Sequence, residues 1–350
     1  MIYILMAVGT LFLLTGCKKN VGTPEDNAVT DESDDKKEDT DQEKKVFGFC
    51  GIDMSNPFYA TLKDSVQSAL EEQGDKLLIK DPAGDAERQN TQIQELIEED
   101  VDAVFLCPVD WKKIEPALDA LEEADIPVIN LDTKVYESGK VAAFVGSDNR
   151  NAGYVCGEDL VERKPDGGQV VIVENLNVNS VCERITGFEE AVSKGAFEVV
   201  KRIQTGNDVS GLKQQVAQVL AQNPDLDAIM CGNDGIATST VRALAEKRLA
   251  SKIRIVGQDA ELEACQRIVE GTQVMTVYKP VEKQAQAAAV YACQLARGED
   301  IQTDRKAYDG TYDVPAVVLE PIAVNADNMQ EVIINSGFHL KEEVYLNVRD

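Results

Sequence analysis

The chain has 350 residues and a formal net charge of −27, with 43% hydrophobic and 28% charged residues. This composition is typical of a soluble globular protein that is long enough for two hydrophobic cores. The strong negative charge argues against nucleic-acid binding and against direct adsorption to an anionic bilayer, because both require a basic surface.

The first residues predict an export signal with a lipid anchor. Residues 1–14 are almost wholly apolar and lead into Leu14-Thr15-Gly16-Cys17. The apolar run is too short to span a bilayer and fits the hydrophobic region of a signal peptide. Small residues before a cysteine resemble the bacterial lipobox, which implies cleavage before Cys17, lipidation of its thiol and anchoring to the outer face of the cell membrane. No Lys or Arg precedes the run, which departs from the usual signal-peptide pattern.

Residues 18–45 predict a disordered acidic tether. They are rich in Asp, Glu, Lys, Thr and Ser, and no large apolar residue occurs from Thr30 up to Val46. Such a segment buries too little apolar surface to offset its ordering entropy. We therefore expect it to hold the folded body away from the membrane.

Short apolar segments alternate with amphipathic segments over the rest of the chain. The predicted strands are 46–52, 77–79, 103–107, 128–131, 142–145, 170–173, 197–203, 228–231, 253–256, 274–277 and 317–319. The predicted helices are 58–72, 85–98, 112–124, 151–162, 181–194, 211–222, 235–247, a helical pattern ending at 270, and 281–297, followed by a loop over 298–313. This alternation predicts parallel sheets covered by helices on both faces. Two rounds of such units predict two similar lobes, with a boundary near residues 147–149.

The segment from Ile253 to Pro280 places polar residues at the carboxyl ends of two strands. Ligands bind at that end of open parallel sheets. Asp259 and Lys279 are therefore candidate ligand-binding residues, as acceptor and donor. The alternatives are that Asp259 caps the following helix and that Lys279 is a solvated lysine.

The segment GQDAELEACQRIVEGTQVMTVYKP, residues 257–280, resembles the matching part of the D-xylose-binding proteins of ABC sugar importers. The motifs EPIAVN at 320–325 and GFH at 337–339 point to the same branch of the type I periplasmic binding proteins. The resemblance covers residues 46–345. It implies two doubly wound α/β lobes joined by a three-strand hinge, the first from 46–146 with 280–310 and the second from 147–279 with 311–350.

The first lobe carries a motif that is similar to the ribose-binding branch. Asn56-Pro57-Phe58-Tyr59 resembles the N-P-F-[FY] turn of those proteins. The resemblance implies that Asn56 bonds a sugar hydroxyl and that the rings of Phe58 and Tyr59 pack on the sugar. The alternative is a plain helix start with Pro57 as its first residue.

Asp132 follows another predicted strand and matches an Asp of the family that contacts the sugar. The family has Arg at the next position, whereas this chain has Thr133. The loss of a bidentate donor leaves the identity of the sugar open.

Three further residues match the family in the second lobe. Arg184 matches a sugar-binding arginine, Asn179 matches an asparagine of the xylose branch, and Asn233 matches a ligand residue. A surface arginine at a helix start is the alternative for Arg184. Asp234 is expected to cap the helix that follows it.

The cysteines predict neither a disulfide framework nor a metal site. The chain has eight, at positions 17, 50, 107, 156, 182, 231, 265 and 293, without C-x-x-C or metal-ligand spacing. Cys50, Cys107 and Cys231 fall in predicted buried strands, where a thiol behaves as a small hydrophobe. We hypothesise that the seven thiols other than that of Cys17 are reduced. A Ca²⁺ site made of loop carboxylates is an alternative that the sequence leaves open.

The resemblance implies a monomeric binding protein that delivers a monosaccharide, a pentose such as D-xylose, to an ABC permease without any cofactor. One alternative is a hexose ligand such as glucose or galactose, and another is a sensor role for a chemoreceptor or histidine kinase. An enzyme is disfavoured because no dinucleotide, P-loop or nucleophile-elbow motif occurs and His339 is the single histidine. The related repressors carry DNA-binding helices where this chain has its signal and tether.

Overall fold

The computed structural model describes residues 44–135, 139–303, 305–308 and 313–348. The predicted signal peptide, the lipidated Cys17 and most of the predicted tether lie outside these residues. The described residues belong to one compact unit. No helix in these ranges is long and apolar enough to cross a membrane.

Strands and helices alternate along the described chain. Numbered in order, the strands are β1 (Val46–Cys50), β2 (Lys76–Lys80), β3 (Ala103–Leu106), β4 (Val128–Leu131), β5 (Ala143–Ser147), β6 (Gly168–Glu174), β7 (Phe197–Gln204), β8 (Leu226–Cys231), β9 (Arg254–Val256), β10 (Thr276–Tyr278), β11 (Lys306–Tyr308), β12 (Asp313–Leu319) and β13 (Ile322–Val324). The α-helices are α1 (Pro57–Glu71), α2 (Ala86–Glu98), α3 (Glu115–Glu123), α4 (Asn149–Arg163), α5 (Asn179–Val192), α6 (Leu212–Gln222), α7 (Asp234–Glu246), α8 (Leu262–Val269), α9 (Val281–Ala296) and α10 (Lys341–Val344). A π-helical turn covers Gln330–Ile334.

The strands form two main sheets, one in each lobe. In the described residues the first sheet has the order β11-β12-β5-β4-β3-β1-β2, and the second has the order β7-β6-β8-β9. All neighbouring strands in them are parallel except the pair of β11 and β12. A small antiparallel pair, β10 with β13, completes the fold. The predicted α/β architecture with parallel sheets is confirmed.

The central strands of the first sheet are buried on both faces. All four residues of β3 are buried, and β4 and β5 are buried along their whole length. Phe47, Phe49 and Phe105 are fully buried in the first lobe. Strands that are apolar on both faces require helices on both sides, as in doubly wound folds.

The helices α4 and α5 pack with almost no space between their backbones. A Cβ atom added to Gly153 of α4 would lie 1.7 Å from the carbonyl oxygen of Arg184 in α5. A Cβ atom added to Gly187 would lie 1.8 Å from the carbonyl oxygen of Arg150. These two glycines therefore allow α5, and with it Arg184, to lie directly against α4.

Two predictions on the C-terminal part were wrong. Residues 311–350 were assigned to the second lobe, but β12 pairs in parallel with β5 in the first sheet. The assignment to the second lobe therefore fails for Asp313–Leu319. The loop predicted over 298–313 contains β11, a three-residue edge strand. Its length is too short to give a hydrophobic period in the sequence.

All seven cysteines in the described ranges are free, and only Cys182 among them is partly exposed. Burial raises the pKa of the Cys50 and Cys231 thiols to about 12. A thiol reagent applied without reductant to the denatured chain from residue 46 onward is expected to count seven thiols. The native protein should react first at Cys182 and slowly elsewhere, because buried thiols rarely ionise. A count of five or fewer would mean that disulfides form.

Candidate functional site

Four charged side chains meet where the two lobes join. The Nζ atom of Lys279 lies 2.7 Å from Oδ1 of Asp132 and 2.9 Å from Oδ1 of Asp259. The guanidinium of Arg184 lies 3.7 Å from the same oxygen of Asp259. Each of the four residues is at least nine-tenths buried. Two anions and two cations balance, which is the condition under which buried charges are tolerated.

The two aspartates stand at strand ends on unusual backbone. Asp132 follows β4 directly and has a φ of 58°, and Asp259 follows β9 and has a φ of 101°. Ala260 also has a positive φ, of 53°. Positive φ is uncommon for residues other than glycine, and such strain concentrates at functional sites. These turns point both carboxylates toward the junction of the lobes.

A polar cavity of about 250 Å³ lies beside the charged cluster and takes walls from both lobes. Six of the predicted ligand-binding residues line it: Asn56, Tyr59, Asp132, Arg184, Asn233 and Asp259. Six polar residues that were not predicted also line it: Asp53, Ser55, Asn175, Ser180, Asn207 and Glu261. The cavity has room for about eight water molecules, since liquid water occupies about 30 Å³ per molecule.

Three predicted ligand-binding residues do not line this cavity. Lys279 is 2% exposed and lies behind it, between the two aspartates. Phe58 is buried with its ring centre 3.5 Å from the Lys279 ammonium, so its ring packs on a cation. Asn179 is the first residue of α5, and its buried Oδ1 atom has no hydrogen-bond partner in the described part of the chain.

A hydrogen-bond network fixes the Arg184 guanidinium. Its Nε atom donates to Oδ1 of Asn149 at 3.0 Å, and Nη1 donates to the carbonyl of Gly232 at 3.0 Å. Asn149 in turn donates to the carbonyl of Asp132 at 3.3 Å. The guanidinium is therefore oriented before any ligand arrives, which lowers the entropy cost of binding.

Two asparagines of the cavity wall, Asn56 and Asn233, are also helix caps. Oδ1 of Asn56 accepts from the backbone N–H of Phe58 at 2.9 Å at the start of α1, and Pro57 is the first residue of that helix. Oδ1 of Asn233 accepts from the N–H of Ile236 at 2.8 Å at the start of α7. Each amide oxygen is thus used by the backbone, which leaves the amide nitrogens as the donors that these two cavity-lining residues offer a ligand.

The predicted capping role of Asp234 was wrong. Asn233 caps α7, and the carboxylate of Asp234 is fully buried. It accepts from the Thr276 hydroxyl at 2.6 Å, from Nε2 of Gln273 at 2.9 Å and from the backbone N–H of Glu261 at 3.2 Å. Asp234 therefore ties the start of α7 to β10 and to the turn after β9.

The lobes contact each other around the cavity. The hydroxyl of Thr133, which stands where the family has arginine, accepts from the N–H of Ser180 at 3.0 Å. Lys134 pairs with Glu183 at 2.6 Å. Such contacts join residues from opposite sheets, so the structure has the closed form of a two-lobed protein.

Two further hydrogen bonds join the two lobes near the cavity. The Trp111 indole N–H donates to the carbonyl of Leu176 at 3.0 Å, and Asn207 donates to the carbonyl of Gly84 at 2.8 Å. Trp111 and Asn207 therefore serve in the contact of the lobes. Trp111 is absent from the cavity wall.

Glu261 is the main cavity residue that the sequence did not predict. It is 8% exposed, and its Oε1 atom lies 3.5 Å from Nδ2 of Asn56 in the other lobe. Burial, followed by the charges of Asp234 and Asp259, raises the pKa of Glu261 to about 9. The side chain is therefore protonated at neutral pH and acts as a hydrogen-bond donor as well as an acceptor.

The chemistry of the cavity is hydrogen bonding to a neutral polar molecule. Oδ2 of Asp132 is buried and has no partner among the described residues, so it is available as an acceptor. The pKa of Tyr59 is raised by burial and then by the charge of Asp132, so its hydroxyl stays neutral. No group of His, Cys, Asp or Glu in these ranges has the arrangement for a metal ion. Paired carboxylates, amides and a guanidinium are the groups that bind vicinal hydroxyls.

The periplasmic binding protein domain family matches residues 47–300 of the chain. The D-xylose-binding periplasmic protein of Haemophilus influenzae is 29% identical over 289 residues, which cover 81% of this chain and 87% of that protein. The ribose import binding protein of Bacillus subtilis is 26% identical over 294 residues, which cover 84% of this chain and 92% of that protein. The crystal structure of an ABC transporter solute binding protein from Mycobacterium smegmatis, with bound glycerol, has a TM-score of 0.74 and 27% identity. That alignment covers 83% of this chain and 97% of the other.

Proposed function

The chain belongs to the periplasmic binding protein family, and from this membership we propose that it binds a monosaccharide outside the cytoplasm and delivers it to an ABC permease. It is a binding protein and not an enzyme. The ligand that we propose is a pentose, D-xylose in the first place. The D-xylose-binding and ribose-binding relatives support this choice.

One observation carries the proposal. Asp132 from the first lobe and Asp259 from the second reach the same cavity, and one lysine, Lys279, pairs with both. A sugar bonded to both carboxylates would therefore hold the two lobes together. Ligand binding then shifts the protein toward its closed form by the difference in affinity between the two forms.

The face of the sugar ring would be covered by Tyr59, which lines the cavity. The hydroxyls would be bonded by Asn56, Asn233 and Arg184 as donors and by the aspartates as acceptors. Thr133 takes no part in this set because its hydroxyl joins the lobes. The absence of an arginine at that position is the feature by which this site would differ from the family pattern.

We propose that Cys17 is lipidated and that residues 18–45 tether a monomer to the outer face of the membrane. The lobes would be 46–146 with 280–319 and 147–279 with 320–350, since β12 pairs in the first sheet. The permease would recognise the closed conformation of the two lobes.

Isothermal titration calorimetry with D-xylose, D-ribose and D-glucose tests the proposal. Micromolar or tighter binding of D-xylose is expected, and Asp259→Ala should weaken it by about a hundredfold, since hydrogen bonds to charged groups contribute about 1.5–3 kcal/mol. Asp64→Ala, a change at an exposed residue of α1, is the matched control and should bind as the wild type does. Tighter binding of glucose would reassign the ligand to a hexose, and no binding of any sugar would refute the function.

A further inference from the structure

A second cavity adjoins the one described above. It has a volume of about 340 Å³ and is lined by residues of both lobes. Five residues line both cavities: Ser55, Pro57, Gly235, Asp259 and Glu261. The two spaces therefore share a wall that these five residues form, and Glu261 is the longest side chain in it.

The contact of Asn56 with Glu261 marks the boundary between the cavities. Asn56 lines the first cavity alone, whereas Glu261 lines both, and the two side chains meet at 3.5 Å across the lobes. That distance is at the long limit of a hydrogen bond, so the contact is weak. A ligand hydroxyl that hydrogen-bonds to Glu261 can therefore replace the Asn56 amide at little cost in free energy.

The lining of the second cavity is amphipathic. Phe58 and Phe338 supply aromatic rings, and Phe338 packs against Tyr278 with ring centres 4.8 Å apart, which holds it in place. Arg242 supplies donors, and its guanidinium forms no hydrogen bond or ion pair with any residue that the structure describes. Aromatic faces together with a bidentate donor match the apolar C–H face and vicinal hydroxyls of a pyranose ring.

We propose that the second cavity is a subsite for a second sugar ring, so that the protein binds a disaccharide as well as the monosaccharide. This inference rests on the proposed function. The first ring occupies the cavity at Asp132 and Asp259, and the glycosidic bond passes Glu261. The second ring packs on Phe338 and bonds Arg242.

The test compares D-xylose with xylobiose, and D-glucose with cellobiose, by calorimetry on the same protein. A disaccharide is expected to bind with one-to-one stoichiometry. Arg242→Ala should weaken its binding roughly fivefold to tenfold, the usual effect of a lost hydrogen bond, and leave the monosaccharide unchanged. Thr61→Trp, which fills the second cavity from α1, should exclude the disaccharide. Arg88→Ala, an exposed arginine on α2, is the control and should change neither.

The outcomes separate this inference from the proposed function. Binding of monosaccharides with no binding of either disaccharide overturns the subsite and leaves the function intact. A disaccharide that binds equally well to the wild type and to Thr61→Trp also overturns it. Absence of binding by all four sugars refutes the function and the subsite together.

Discussion

Replacement of Lys279 by methionine is expected to abolish sugar binding and to lower the free energy of unfolding by about 3–5 kcal/mol. Lys279 pairs with Asp132 and Asp259 at 2.7 and 2.9 Å, and all three side chains are buried. Without the ammonium, two buried carboxylates face one another with only Arg184, 3.7 Å from Asp259, to balance them. Urea denaturation and calorimetric titration with D-xylose measure the two effects.

Lys283→Met is the matched control for this change. Lys283 lies on the exposed side of α9, and surface substitutions usually alter stability by no more than about 0.5 kcal/mol. A second variant that combines Lys279→Met with Asp132→Asn removes one negative charge and should recover part of the lost stability without recovering binding. Wild-type stability of Lys279→Met would contradict the role of this lysine as the counter-ion of the two aspartates.

The position of the site was predictable from the order of strands and polar turns. Asp132 and Asp259 each follow an apolar strand, and ligands bind at the carboxyl ends of parallel strands, so each was expected at the binding edge of its own sheet. The structure brings both to one cavity, with Arg184 and Asn233 beside them. These positions depend on the sheet topology, which the alternation of strands and helices specifies.

The exact direction of other side chains was not predictable, because it depends on contacts between distant segments. Lys279 was expected at the ligand, but two carboxylates from different lobes enclose it. Glu261 reaches the cavity because Asp259 and Ala260 both have positive φ, and no pattern in the sequence specifies that turn. The placement of β12 in the first sheet likewise depends on a crossing between lobes that leaves no local signal.

An increase of pH from 5 to 8 is expected to lower the free energy of unfolding through Glu261. Burial and two neighbouring carboxylates raise its pKa from 4.5 to about 9 in the folded protein. The folded state therefore holds a proton that the unfolded state releases above pH 4.5. The stabilisation from this proton is complete below that pH and is lost as the pH rises toward 9. One proton corresponds to about 1.4 kcal/mol per pH unit, so the loss from pH 5 to 8 should be about 2–4 kcal/mol.

Glu261→Gln keeps the size of the side chain and removes its titration. Burial raises the pKa of the neighbouring Asp234 to about 7, so stability also declines with pH through that carboxyl in both proteins. The additional decline of the wild type reports Glu261. Burial lowers the pKa of His339, which makes stability rise with pH below about 6.5, but this contribution is present in both proteins and cancels. The lowered pKa values of Asp85 and Asp208 act below pH 4 and lie outside the range. Urea denaturation at intervals between pH 5 and 8 should give a steeper decline for the wild type than for Glu261→Gln. Equal slopes would mean that Glu261 is ionised in the closed cleft and accepts hydrogen bonds there without donating any.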